Sequence, residues 1–173
     1  ITEELQYVNL YAPRKLREIL PSKNIDGSNN YQKSDLIFNN NEILSQNHSP
    51  IIGWAYDGNP IYGPYGFERY DGGSIKALKS GYEYRSQLNR PPFSDFSAGF
   101  FVEDYVFTNS GDLDIHNGRY CKTPDFPNGT YAYFSTINSE QNGFDSTFDN
   151  YRRSIFPYLI GNSFKSKPNQ FNF

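Results

Sequence analysis

Between Gly53 and Gly66 the chain reads Gly-Trp-Ala-Tyr-Asp-Gly-Asn-Pro-Ile-Tyr-Gly-Pro-Tyr-Gly, with turn formers and aromatic residues in alternating short blocks. Few backbone paths are open to such a run, because proline fixes φ and lacks a donor while glycine supplies turns closed to other residues. Asp57-Gly58-Asn59-Pro60 sets four turn formers in a row, so the strand read over Ile51–Tyr56 from its β-branched and aromatic content must reverse there. Ile61-Tyr62 then enters a second tight turn at Gly63-Pro64-Tyr65-Gly66-Phe67. No helix passes through this region, which calls for short strands and close turns.

Composition extends the point to the whole chain. The 15 Tyr, 15 Phe and 1 Trp outnumber the 26 Leu, Ile and Val, and there are 14 Gly and 11 Pro. A helical bundle needs Leu, Ala and Glu instead. The formal charge of -3 gives no general attraction to nucleic acid, and Arg152-Arg153 is too short a basic patch to change that. Mean hydropathy is -0.73, and no apolar run approaches the roughly 20 residues of a membrane span. The lone Cys121 has no partner for an internal disulfide, and no zinc-finger spacing exists. The absence of Met and the start at Ile1-Thr2 read as a piece of a longer polypeptide or a processed form.

Along the chain, Arg14–Leu20 is expected to form about two helical turns before Pro21. Asp26-Gly27 marks a turn, and Leu36–Phe38 is a short apolar run. The stretch from Glu68 to Arg90 reads as variable, with Asp71-Gly72-Gly73 as a loop. Strands are expected over Phe100–Phe107 and, most clearly, Thr130–Thr136. Near the end, Ile155–Gly161 is a single apolar piece in polar surroundings, and the last residues, Asn169–Phe173, read as cut from a continuing chain. The expected class is therefore mainly β: a compact single domain of short strands and long ordered loops, with extended flanking arms. Its parts are an N-terminal arm or lead-in at 1–48, the β domain at 49–137, and a C-terminal extension at 138–173 leading to a following segment.

The Gly53–Gly66 string, together with Leu113-Asp114-Ile115-His116-Asn117-Gly118-Arg119-Tyr120 and Thr130-Tyr131-Ala132-Tyr133-Phe134, resembles the YHYH domain family over residues 49 to about 137. That family pairs a G-Y/W-A-Y-D-G-x-P-I-Y-G-P-Y-G segment with an L-D-x-x-N-G-R segment and a Tyr-His-Tyr-His strand. Here the strand reads Tyr131-Ala132-Tyr133-Phe134. Residues two apart share a strand face, so the face that would carry both histidines carries Ala132 and Phe134, which neither bind metal nor move protons. Chemistry resting on those histidines is expected to be lost.

The motif residues singled out as binding or structural positions are Trp54, Tyr56, Asp57, Gly58, Pro60, Tyr62, Tyr65, Asp114, Asn117, Gly118, Tyr131 and Tyr133. Asp57, Asp114 and His116 are the weak candidates for a cation or polar ligand; the competing reading makes both aspartates turn formers that accept backbone N–H groups. His48 and His116, each isolated, read as structural. Cys121 lacks any nucleophile signature, and no serine elbow, P-loop or dinucleotide fingerprint exists. Tyr56, Tyr62, Tyr131 and Tyr133 are expected in or near the core, and Tyr65, Phe67 and Tyr70 at the surface.

No catalytic residue and no cofactor are expected, with a bound cation the disfavoured alternative. The resemblance implies a structural or adhesion domain of a bacteriophage virion protein, as in large cyanophage structural proteins, in a tail, baseplate or fibre. Expected partners are other virion proteins or copies of itself, with a host surface glycan as a further one; neither nucleic acid nor a membrane span is expected. The alternatives are a secreted, extracellular or periplasmic metal-binding or hydrolase-like domain, and a carbohydrate-binding module.

Overall fold

The turn at Asp57–Asn59 folds strand β3 (Ile51–Trp54) back onto β4 (Pro60–Tyr62) in antiparallel register, Trp54 opposite Pro60. In the computed structural model, which describes residues 13–24, 28–30, 47–85, 89–138 and 154–168, this pair forms half of a central sheet. The other half is β9 (Gly118–Cys121) and β10 (Thr130–Phe134), also antiparallel. The halves join through a parallel pairing of β4 with β10, Ile61 opposite Tyr133 and Tyr62 opposite Phe134, giving the order β3-β4-β10-β9. The two sequence strings thus become hydrogen-bonded neighbours at the middle of the molecule.

Three small pairings surround this sheet. Ahead of it, β1 (Ser22–Lys23) meets β2 (Asn29–Asn30) across the expected Asp26-Gly27 turn, which lies outside the described residues. β5 (Tyr65–Arg69) and β6 (Gly72–Ala77) form a hairpin, and β7 (Tyr82–Tyr84) pairs with β8 (Tyr105–Phe107). The only α-helix among the described residues, α1 (Arg14–Ile19), ends where Pro21 requires it to. The protein is mainly β.

Alternation along β10 divides the core. Ala132 and Phe134 face one side with Tyr62, Leu78, Leu113 and Cys121. Tyr131 and Tyr133 face the other with Ala55 and Ile61, packed against Ile52, Leu159, Ile160 and Phe164. The β5–β6 hairpin lies over the first side: Arg119 donates to the Phe67 carbonyl, and a Cβ on Gly66 would stand 3.0 Å from the Phe134 ring.

Several expectations need correction. Tyr65 is 1 % exposed and Phe67 is also buried, so neither is a surface aromatic; both belong to β5, and Tyr65 packs with Ala77 and Ile137. Tyr56 is 53 % exposed instead of near-core, because the strand ends at Trp54 and Tyr56 lies in the turn. Of the loop read at Asp71-Gly72-Gly73, Asp71 alone lies with Tyr70 in the turn of a hairpin, and Gly72-Gly73 begin β6. Phe100–Phe107 is strand only from Tyr105; a 3-10 turn occupies Val102–Asp104, drawn in as the Asp104 carboxylate accepts the N–H groups of Gly99 and Phe101.

Packing also runs past residue 137. Ile137 bridges to Ser154, the N–H of Thr136 donates to the Tyr158 carbonyl, and Phe156 stacks on Tyr105 at 4.3 Å. At the other end, Arg17 of α1 is buried with its guanidinium 5.8 Å from the Tyr65 ring centroid. The readings of Leu36–Phe38, Arg152-Arg153 and Asn169–Phe173 lie outside the described residues.

Candidate functional site

The two tyrosines of β10 point their hydroxyls into two separate turns. Tyr133 donates to Asp57 Oδ2 at 2.7 Å, and Tyr131 donates to Asp114 Oδ1 at 2.8 Å. Their rings meet edge to face at 5.3 Å. Each aspartate also organises its own turn. Asp57 accepts the N–H and side-chain amide of Asn59, at 3.3 and 2.9 Å, where Gly58 adopts a φ of +83°. Asp114 accepts the N–H groups of His116 and Gly118, at 2.9 and 3.2 Å. The turn-forming role weighed for both residues is what the geometry displays.

Close approach explains the glycine after Asn117: a Cβ on Gly118 would stand 2.5 Å from the Tyr131 hydroxyl. Asn117 itself, at a φ of 62°, is buried and sends its amide to the carbonyls of Phe134 and Leu159, at 2.9 and 3.1 Å. It fastens β10 to the C-terminal segment from beneath.

That segment closes the cluster from above. The N–H of Lys165 donates to the Tyr133 hydroxyl at 2.6 Å, and the N–H of Ser166 to Asp57 Oδ2 at 3.1 Å. The Lys165 ammonium lies 5.2 Å from the Tyr131 ring centroid and 3.6 Å from Asp114 Oδ2. His116 turns its ring outward, Nδ1 3.0 Å from both the carbonyl and the hydroxyl of Ser163, so only its backbone meets Asp114.

The electrostatics follow from burial and partners. Burial and the Asp114 carboxylate push the Tyr131 hydroxyl far above its usual range; burial and the Asp57 carboxylate do the same for Tyr133. Burial raises the Asp57 carboxyl, but the donors from Tyr133, Asn59 and Ser166 outweigh it and leave it below the ordinary value. Both phenols thus stay protonated as donors, unsuited to proton transfer near neutrality.

On the opposite face, Ala132 and Phe134 are wholly buried. His48 stacks near them, its centroid 5.0 Å from Tyr62, 5.2 Å from Phe67 and 6.1 Å from Phe134. Its Nδ1 lies 2.8 Å from the Ser49 carbonyl and its Nε2 has no hydrogen-bond partner. Tyr62 donates to Asp125 Oδ2 at 3.1 Å and shares a hydrogen with Thr123. Burial raises the Cys121 thiol above its ordinary value despite the nearby Arg119. Among the described residues no three His, Cys, Asp or Glu side chains converge to hold a metal ion.

Both strings thus lie in one four-stranded sheet. The family described as YHYH protein matches residues 26–166. The chain belongs to the YHYH family. The match takes in β2 and the segment through Ser166, so the YHYH unit includes the residues that close over Asp57 and Tyr133. No curated protein and no solved structure matches the chain.

Trp54, Pro60 and Tyr65 lie in β3, β4 and β5, and of these Trp54 alone is largely exposed, at 59 %. Sequence reasoning singled out Tyr131, Tyr133, Asp57 and Asp114 separately, and the fold joins them in pairs. It missed Lys165 and Ser166, which contribute mainly backbone N–H groups and so leave little trace in side-chain chemistry.

Proposed function

We propose that this YHYH domain is a structural or attachment module of a bacteriophage virion protein, in a tail, baseplate or fibre, acting through contacts and not turnover. The observation that carries this reading is the state of the signature strand. Its histidine face is filled by buried Ala132 and Phe134, and its tyrosine face spends both hydroxyls on Asp57 and Asp114. The remaining reactive types are equally committed: Cys121 is buried with a raised thiol pKa, and the His116 ring meets Ser163. Exposed Trp54, Tyr56, Tyr70 and Tyr120 supply the large, amphipathic contact residues that recognition surfaces favour. The domain would then reside in the particle and meet other virion proteins or copies of itself. Metal analysis of the purified chain tests it: substoichiometric metal is expected, whereas one bound equivalent lost in Asp114→Asn and His116→Ala would favour the metal-binding or hydrolase-like reading.

Trp54 favours a second, compatible reading, attachment to a host glycan. Phe126 props the indole edge-on at 6.4 Å, leaving it 59 % exposed, as a sugar-stacking platform requires. Because it is the sole tryptophan, its fluorescence would report oligosaccharide binding directly.

A further inference from the structure

Two triplets of the form Asn-x-Ser/Thr, with x other than proline, occur in the chain: Asn47-His48-Ser49 and Asn128-Gly129-Thr130. At this pattern a sugar can be joined to the asparagine amide, provided that the triplet lies on an accessible surface loop. The fold treats the two in opposite ways.

The first triplet is closed. His48 and Ser49 are buried, His48 among the rings of Tyr62, Phe67 and Phe134. The Ser49 hydroxyl accepts the Tyr65 N–H at 3.0 Å, and the Ser49 N–H donates to the Tyr65 carbonyl at 2.9 Å. Pro50 follows and stiffens the exit. An enzyme would have to pull this segment off β5 to reach the hydroxyl.

The second triplet is open. It lies where the chain passes from β9 to β10, and Pro127 and Asn128 are both exposed. The Gly129 N–H donates to the Phe126 carbonyl at 3.0 Å and Gly129 takes a φ of +95°, so a backbone hydrogen bond closes the turn without help from the Asn128 side chain. Among the described residues that side chain makes no hydrogen bond. The Thr130 hydroxyl meets the neighbouring Tyr131 carbonyl at 3.3 Å, a long contact that is easily given up. Beside the turn stands Tyr120, 66 % exposed, its ring 3.0 Å from where a Cβ on Gly129 would lie.

We propose that Asn128 is a glycosylation site, the acceptor of an N-linked hexose delivered by a sugar nucleotide. In the transfer the Asn128 amide nitrogen bonds to the anomeric carbon of the donor. The bond from that carbon to the diphosphate oxygen breaks, its electron pair leaves with the nucleoside diphosphate, and the amide nitrogen gives up one proton. Nothing is oxidised or reduced. Conjugation makes an amide nitrogen a poor nucleophile, so a transferase has to turn the carboxamide out of its resting geometry. Asn128 has no hydrogen bond to break when that happens, and the Thr130 hydroxyl is at hand as a second point of recognition. The exposed Tyr120 ring offers the attached sugar an apolar face to lie on.

The inference goes beyond the virion reading and does not rest on it, since metal analysis tests that reading and sugar transfer tests this one. The folded chain is incubated with UDP-glucose and a soluble transferase specific for Asn-x-Ser/Thr, with a peptide spanning 125–132 as the control for enzyme activity. Intact-mass measurement and peptide mapping are expected to find a hexose on Asn128, absent in Asn128→Gln and largely lost in Thr130→Ala. Asn128→Gln alters an exposed turn side chain that makes no hydrogen bond, so loss of transfer there is not loss of the fold. An unmodified folded chain beside a modified peptide, a hexose on Asn47, or a hexose retained in Asn128→Gln would each overturn the proposal.

Discussion

His48 sits in a ring of aromatic side chains with one nitrogen on a backbone carbonyl and the other on none, an arrangement that tolerates only the neutral imidazole. Burial pushes its pKa down to about 4, from 6.5. Between those values the unfolded chain binds a proton that the folded chain refuses. Stability is therefore complete above about pH 6.5 and falls as pH drops toward 4, by on the order of 3 kcal/mol. Urea midpoints at pH 7 and near pH 4.5 should show this loss, and His48→Gln should flatten it. The Asp57 and Asp104 carboxyls, lowered below 3.8, withdraw their support only at still lower pH. The isolation of His48 was legible in the sequence; its aromatic surroundings were not, because Tyr62, Phe67 and Phe134 come from three separate strands. Tyr65 and Phe67 illustrate the same limit: Gly-Pro-Tyr-Gly reads locally as a turn, while burial depends on β6 pairing alongside.

At the scale of elements, the segment ending at Ser166 behaves as a strap whose polar clasp is Tyr133–Asp57. Tyr133→Phe removes the acceptor for the Lys165 N–H and one donor to Asp57 together. The expected result is faster amide hydrogen exchange at Lys165 and Ser166, with exchange in β9 and β10 little changed and global stability down by roughly 1–3 kcal/mol. Unchanged protection at Lys165 would show that the strap is held by Leu159, Ile160 and Phe164 alone. The strands of the central sheet were readable from β-branched and aromatic runs between turn formers, β10 most clearly. The β5–β6 hairpin was missed although Asp71-Gly72 carries a recognised reversal signal; the exposed Glu68-Arg69 end of β5 and the Gly-Gly-Ser start of β6 hid their alternation. The strap was invisible for another reason, since its polar contacts are chiefly backbone groups whose partners lie far away in sequence.

For the molecule as a whole, Cys121 reports on intactness. Its thiol is 1 % exposed and its pKa is raised by burial, in the cluster that includes Tyr62, Leu78 and Phe134. Thiol reagents should label the native protein only through opening of that cluster, so labelling should follow global unfolding in denaturant; rapid labelling of the native state would contradict the packing described. The pairing of β4 with β10 carries one last consequence. These adjacent strands run parallel, and everything from Gly63 to Gly129 is threaded between them. Closing so long a stretch consumes chain entropy before any central contact repays it, which makes assembly slow and dependent on distant partners. On a ribosome the first signature string would emerge long before its neighbour, and it would wait, unpaired on that edge, until the tyrosine strand followed.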